Sequence, residues 1–205
     1  MRWNSHTIGN LDYDQLSTLY GNACKIISSV EAKFGKDSDF ENRNRYHKAK
    51  EVEKLIRSEW SIRRRGKISK AHNDKYPKIG VLRKLGYKKL YGLDYKTRTL
   101  IIKNCIAMKN EELPFTYNPK HMKTWGESKS KRRYAKIMVY LKHQIANKKR
   151  ASEETMEAWK DDLAETLNIC PHKSVNDWFQ EKFNKKNSLD INSKMDTEFD
   201  DEIPF

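Results

Sequence analysis

The chain has 205 residues and a net charge of +14, with 42 Lys or Arg set against 28 Asp or Glu. With 37% of it hydrophobic and 34% charged, it has room for a lean-cored domain and an appendage, and five Trp and ten Tyr supply large buried area per residue. No apolar run approaches the ~18 to 20 residues that span a bilayer, no Lys-rich helix carries a continuous apolar face, and Met1-Arg2-Trp3-Asn4 opens no signal peptide, so a cytoplasmic protein with no membrane partner is expected.

Leu16, Leu19, Tyr20, Ala23, Ile26, Ile27, Val30 and Phe34 keep the three-and-four spacing of one helix face, with Asp12 and Gln15 placed to cap its start. Gly35 ends this helix, and Ser38-Asp39-Phe40-Glu41 gives a capping-box pattern for a second. Its buried stripe is Tyr46, Ala49, Val52, Ile56 and Trp60, while Arg43, Arg45, Lys48, Lys50, Lys54 and Arg57 lie elsewhere around it. The two are expected to form a helical hairpin with a basic face. Arg63-Arg64-Arg65-Gly66-Lys67-Ile68-Ser69-Lys70 reads as a charged hinge, followed by the breakers Pro77 and Gly80.

Ile79, Val81, Leu82, Leu85, Leu90 and Tyr91 predict a short helix broken or followed by Gly86 and Gly92. Thr97 to Ile106 is β-branched enough for a strand, but its length and the lack of partner strands favour a buried helix. Leu113 to Pro119 is a loop by its two prolines. Ser130 to Ala146 reads as a helix with Tyr134, Ile137, Met138, Leu141 and Ile145 inward, closed by Lys148-Lys149-Arg150 at the negative end of its dipole. Ser152 caps the next, which carries Met156, Trp159, Leu163 and Leu167 along one face. Ser174 caps a last short helix with Val175, Trp178, Phe179 and Phe183. The fold class is therefore all-α: a basic multi-helix domain over residues 1–185, then an acidic tail over 186–205 too polar to order itself.

Charge points to a partner. Between Arg43 and Lys103 twenty Lys or Arg face Glu51, Glu53, Glu59, Asp74 and Asp94, a local balance of +15. Such an excess suits DNA, where neutralising phosphates releases counterions. Arg63, Arg64, Arg65, Lys67 and Lys70 are the leading phosphate contacts, joined by Arg83, Lys84, Lys88 and Lys89. A second patch holds Lys129, Lys131, Arg132, Arg133 and Lys136. Tyr46, Tyr76, Tyr87, Tyr91 and Tyr95 are interleaved with the cations, the pattern a single-strand platform needs, although each is also a core candidate.

Catalysis has little support. Cys24, Cys105 and Cys170 form no CxxC pair, which indicates neither a disulfide framework nor a zinc knuckle. Cys24 and Cys105 lie in apolar helical patterns as inert thiols. His72-Asn73-Asp74 superficially resembles a metal-nuclease motif, but no second motif completes it. Cys170-Pro171-His172 is a structural turn, and no phosphate-binding glycine loop occurs, so no cofactor, metal or catalytic residue is expected.

The final residues reverse the charge. Asp196 to Phe205 holds five acids and no base, which leaves +19 on Met1 to Met195 against the +14 of the whole. The tip Phe199-Asp200-Asp201-Glu202-Ile203-Pro204-Phe205 closely resembles the C-terminal docking peptide of bacterial single-stranded DNA-binding proteins, over about ten residues. Ile203 and Phe205 suit an apolar socket, Asp200, Asp201 and Glu202 a basic ridge, and Pro204 lowers the entropy lost on docking. The resemblance implies partners among DNA-processing enzymes: a primase, a repair helicase, a recombination mediator or an exonuclease. The oligonucleotide-binding barrel of that family is not visible in the body.

The expected function is thus non-enzymatic. The chain would bind DNA, as single strands or forked junctions, in replication or recombination in the bacterial cytosol or nucleoid, and bring enzymes there through the tip. A phage or mobile-element origin suits its size and Lys/Asn richness. The alternatives are a decoy that blocks host nucleases, or a nuclease recruited by its own tail.

Overall fold

A computed structural model describes residues 3–34, 40–67, 80–88, 90–114, 123–146 and 151–185. All regular structure among them is helical, with no strand. No helix there is long and apolar enough to cross a membrane. The chain divides into two compact units, Met1–Met122 and Lys123–Phe205.

In the first unit Asn4 caps α1 (Ser5–Gly9), accepting the Thr7 N–H, and Ile8 is buried. Then comes α2 (Tyr13–Phe34), whose entry matches the expected box: the Asp12 carboxylate accepts the Gln15 N–H at 2.7 Å, and the Gln15 side chain accepts that of Asp12 at 2.8 Å. The second long helix, α3 (Phe40–Lys67), packs along α2 and buries Ala49, Val52, Ile56 and Trp60. Tyr46 is only half-buried, its hydroxyl donating to Glu31 at 3.0 Å. Ser38 and Asp39 lie outside the described residues.

The expected hinge at Arg63 is instead helix, since α3 runs on to Lys67. Local attachments hold it: Arg63 reaches back one turn to Glu59 at 2.6 Å, and donates to the carbonyls of Leu11 at 2.6 Å and Gly9 at 3.0 Å.

The chain returns as α4 (Val81–Lys84), turns at Gly86, and passes through a 3-10 turn at Leu90–Gly92 into α5 (Tyr95–Ala107). The β-branched run is therefore a helix. Packed on α2, it buries Ile101, Ile102, Cys105 and Ile106. Between these helices the Asn104 amide donates to the Tyr20 hydroxyl at 3.0 Å, and the Tyr20 and Trp60 rings lie 5.1 Å apart. Burial, reinforced by Glu53, pushes the nearby Cys24 thiol up to about 12, so it is inert at neutral pH.

The second unit is built on α6 (Lys131–Ala146), against which α7 (Glu153–Asn168) and α8 (Lys173–Lys185) pack. Ser152 caps α7 as expected, through the Thr155 N–H. In α7 Ala158, Asp162 and Thr166 are inside, while Met156, Trp159, Leu163 and Leu167 are half-buried. Thr166 satisfies its hydroxyl on the Asp162 carbonyl at 2.6 Å. Ile145 is likewise half-buried. A further correction concerns α8, whose first amide bonds go to the His172 carbonyl, so Ser174 lies inside the first turn rather than ahead of it.

Candidate nucleic-acid interface

An open groove of about 660 Å3 lies in the first unit. Asp14, Ser17, Thr18, Gly21, Asn22 and Lys25 of α2 form one side, with Arg83, Lys84, Gly86, Lys88, Gly92 and Leu93 opposite. Two glycines make its floor. Gly86 has φ +92°, a left-handed conformation that a side chain strains, and a Cβ there would lie 3.0 Å from the Gly21 Cα. The close approach to α2 therefore favours glycine at position 86, while a Cβ at Gly21 would meet the Gly86 Cα at an ordinary 3.7 Å.

Four cations and one carboxylate give the groove its character. Arg83 is exposed, and Lys84 and Lys88 are half-buried. The Lys84 ammonium lies 5.5 Å from the Tyr13 ring centre, and the Arg63 guanidinium 5.3 Å from the same ring. Burial lowers the Lys84 pKa, with Asp14 partly opposing it. This concave positive field, lined with amides and hydroxyls, suits phosphate oxygens. A smaller groove of about 410 Å3, lined in part by Lys54, Arg57, Lys109, Glu111 and Glu112, suits them less, because Arg57 is paired to Glu112 at 2.6 Å.

The structure thus gathers Arg83, Lys84 and Lys88 at one site. Arg63 stands beside it with its guanidinium committed to Glu59, Leu11 and Gly9, a brace between α3 and the α1–α2 turn rather than an available phosphate contact. Arg64, Arg65 and Lys67 belong to the last turns of α3, but their side chains, like Lys70, Lys89 and Tyr76, are outside the described residues. In the second unit Arg133 is a correction. Its side chain is fully buried, donating to the carbonyls of Trp125 at 3.0 Å and Gly126 at 2.7 Å, so no phosphate can reach it. Arg132 donates to the Lys123 carbonyl at 3.3 Å. Phe199 to Phe205 lie outside the described residues.

Sequence reasoning missed Lys25 and the glycine floor. Gly21 was the available signal, since a glycine inside a helix costs about 1 kcal/mol and points to a close approach.

Among the described residues no group of three or more His, Cys, Asp or Glu is placed to hold a metal ion. His172 serves the turn before α8, bonding the Lys129 carbonyl at 3.0 Å and packing edge-on to Tyr134. His72 and His121 are outside the described residues. Compared with protein-family models, curated proteins and solved structures, the chain matches none.

Proposed function

We propose that this protein is a non-enzymatic DNA-binding accessory factor of replication or recombination, which holds the phosphate backbone in the α2–α4 groove and recruits processing enzymes through its acidic tip. The observation that carries the reading is the convergence of Lys25, Arg83, Lys84 and Lys88 on one groove, with Asp14 the only acid among its described lining residues. Lys25 and the other three cations are more than fifty positions apart in sequence, so the fold concentrates a charge that composition only spreads. The +19 of Met1 to Met195 supplies long-range attraction around it. Recruitment is supported by the likeness of Phe199 to Phe205 to the docking tip of single-stranded DNA-binding proteins.

The test is a gel shift at low ionic strength with the full chain and an Arg83→Glu, Lys88→Glu variant. The wild type should retard an oligonucleotide and the variant should lose most of that retardation. Equal retardation would remove the groove from the account, and none by the wild type would end the DNA-binding reading.

A further inference from the structure

Of the tyrosines interleaved with the basic residues, Tyr87 is 3% exposed and belongs to the core. Tyr46 has its hydroxyl on Glu31 and its ring against His47. Tyr95 differs. It is 45% exposed, one of two large hydrophobic side chains so exposed among the described residues.

Its position gives that exposure a use. Tyr95 is the first residue of α5, immediately after the cap Asp94 and two residues beyond Leu93, which lines the groove. Its Cα is therefore within about 7 Å of the Leu93 Cα. Arg98, itself only 6% exposed, donates to the Leu93 carbonyl at 3.0 Å and places its guanidinium 5.9 Å from the Tyr95 ring centre. One buried cation thus bonds a residue of the groove wall and lies over the Tyr95 ring. The base of α5 is fixed in turn: Asp94 accepts the Thr97 amide and hydroxyl, and the Thr97 hydroxyl meets Ser28 of α2 at 2.7 Å.

We infer that Tyr95 is a base-stacking residue that makes the adjoining groove selective for single-stranded DNA. The inference rests on the proposed DNA-binding reading and adds the substrate class. Unpaired bases expose π-faces that duplex DNA keeps stacked, so an aromatic ring beside a phosphate-binding groove favours the single strand. A ring braced by Arg98 loses less freedom on stacking than an unsupported one. Arg83, Lys88 and Lys25 would hold backbone phosphates of the same strand, and sequence preference would be weak, since every base offers a face.

The experiment measures fluorescence anisotropy with the full chain on three labelled probes: an oligo-dT strand, an abasic strand of equal length, and a duplex. Tyr95→Ala should weaken binding to oligo-dT by roughly 5- to 150-fold, the loss expected for one stacked base. Its affinity for the abasic strand and the duplex should change less than about twofold. Tyr95→Phe, which keeps the ring, should bind oligo-dT like the wild type and serves as the folding control. Wild-type preference for oligo-dT over the abasic strand should vanish in Tyr95→Ala. Equal loss on all three probes, or no loss on oligo-dT, would overturn the stacking role while leaving DNA binding intact. Failure of the wild type to bind any probe would overturn both.

Discussion

Ser28 Oγ and Thr97 Oγ1 lie 2.7 Å apart in a buried contact that joins the middle of α2 to the first turn of α5. The Thr97 hydroxyl donates to Asp94 at 2.8 Å, so Ser28 must supply the proton between the two hydroxyls, although the Lys25 carbonyl at 3.1 Å competes for it. The pair fixes the groove-bearing helix against the helix that carries Tyr95. Ser28→Ala and Thr97→Val should each cost about 1 to 3 kcal/mol, and the double variant less than their sum, because the second change removes a group the first leaves unsatisfied. Urea denaturation of the three variants measures this, and simple additivity would dissolve the coupling.

Asp94 should make stability depend on acid. Burial pushes its carboxyl up, but hydrogen bonds from the Thr97 amide and hydroxyl and from the amides of Asp94 and Lys96 outweigh that and lower the pKa. The folded state therefore favours the carboxylate, a contribution complete above the ordinary Asp value near ~3.9 and lost as pH falls through the lowered folded value. Asp94→Ala should cost about 1 kcal/mol at pH 7 as a lost cap. The gap from wild type, followed by denaturant midpoints at falling pH, should shrink only below about pH 4.

Lys84 should separate binding from stability. Burial lowers its pKa, so its charge opposes folding at neutral pH, and that penalty fades as pH rises through the lowered value towards the ordinary Lys range. Lys84→Met keeps the apolar stem and drops the charge, and should leave the melting temperature equal or higher while weakening DNA binding. A marked loss of stability would show that the Tyr13 and Asp14 interactions outweigh desolvation.

The tail supplies an independent prediction. Phe205→Ala should weaken capture of enzymes that recognise the single-stranded DNA-binding protein tip by roughly 30- to 800-fold, as expected for a lost aromatic anchor. Its DNA affinity should not change. Competition with a peptide ending in Asp-Asp-Glu-Ile-Pro-Phe measures the first effect, and unchanged capture would exclude this use of the tip.

The helices were legible where spacing and chemistry agree, as at the Asp12–Gln15 cap and the Ile101–Ile106 face. Thr97 to Ile106 is β-branched enough for a strand, yet length and the lack of partner strands favoured the buried helix it forms, and packing on α2 is where burial overrides intrinsic preference. Gly66 misled as a hinge because the bonds of Arg63 to Leu11 and Gly9 are made between residues some fifty positions apart. The same distance hid half of the groove: Arg83 and Lys88 were readable as cations, but apart from the helical Gly21 nothing near Lys25 points to the approach of Gly86. Arg133 looked like a surface cation, and only packing reveals that it holds the turn at Trp125 and Gly126.

The most direct test of the groove is the salt dependence of DNA affinity. The wild type should show a steep linear fall of log K with log salt. A Lys25→Ala, Arg83→Ala, Lys88→Ala variant should show a slope shallower by about 2 on single strands, at roughly 0.7 for each phosphate no longer neutralised. Equal slopes and equal affinities for the two proteins would contradict the account.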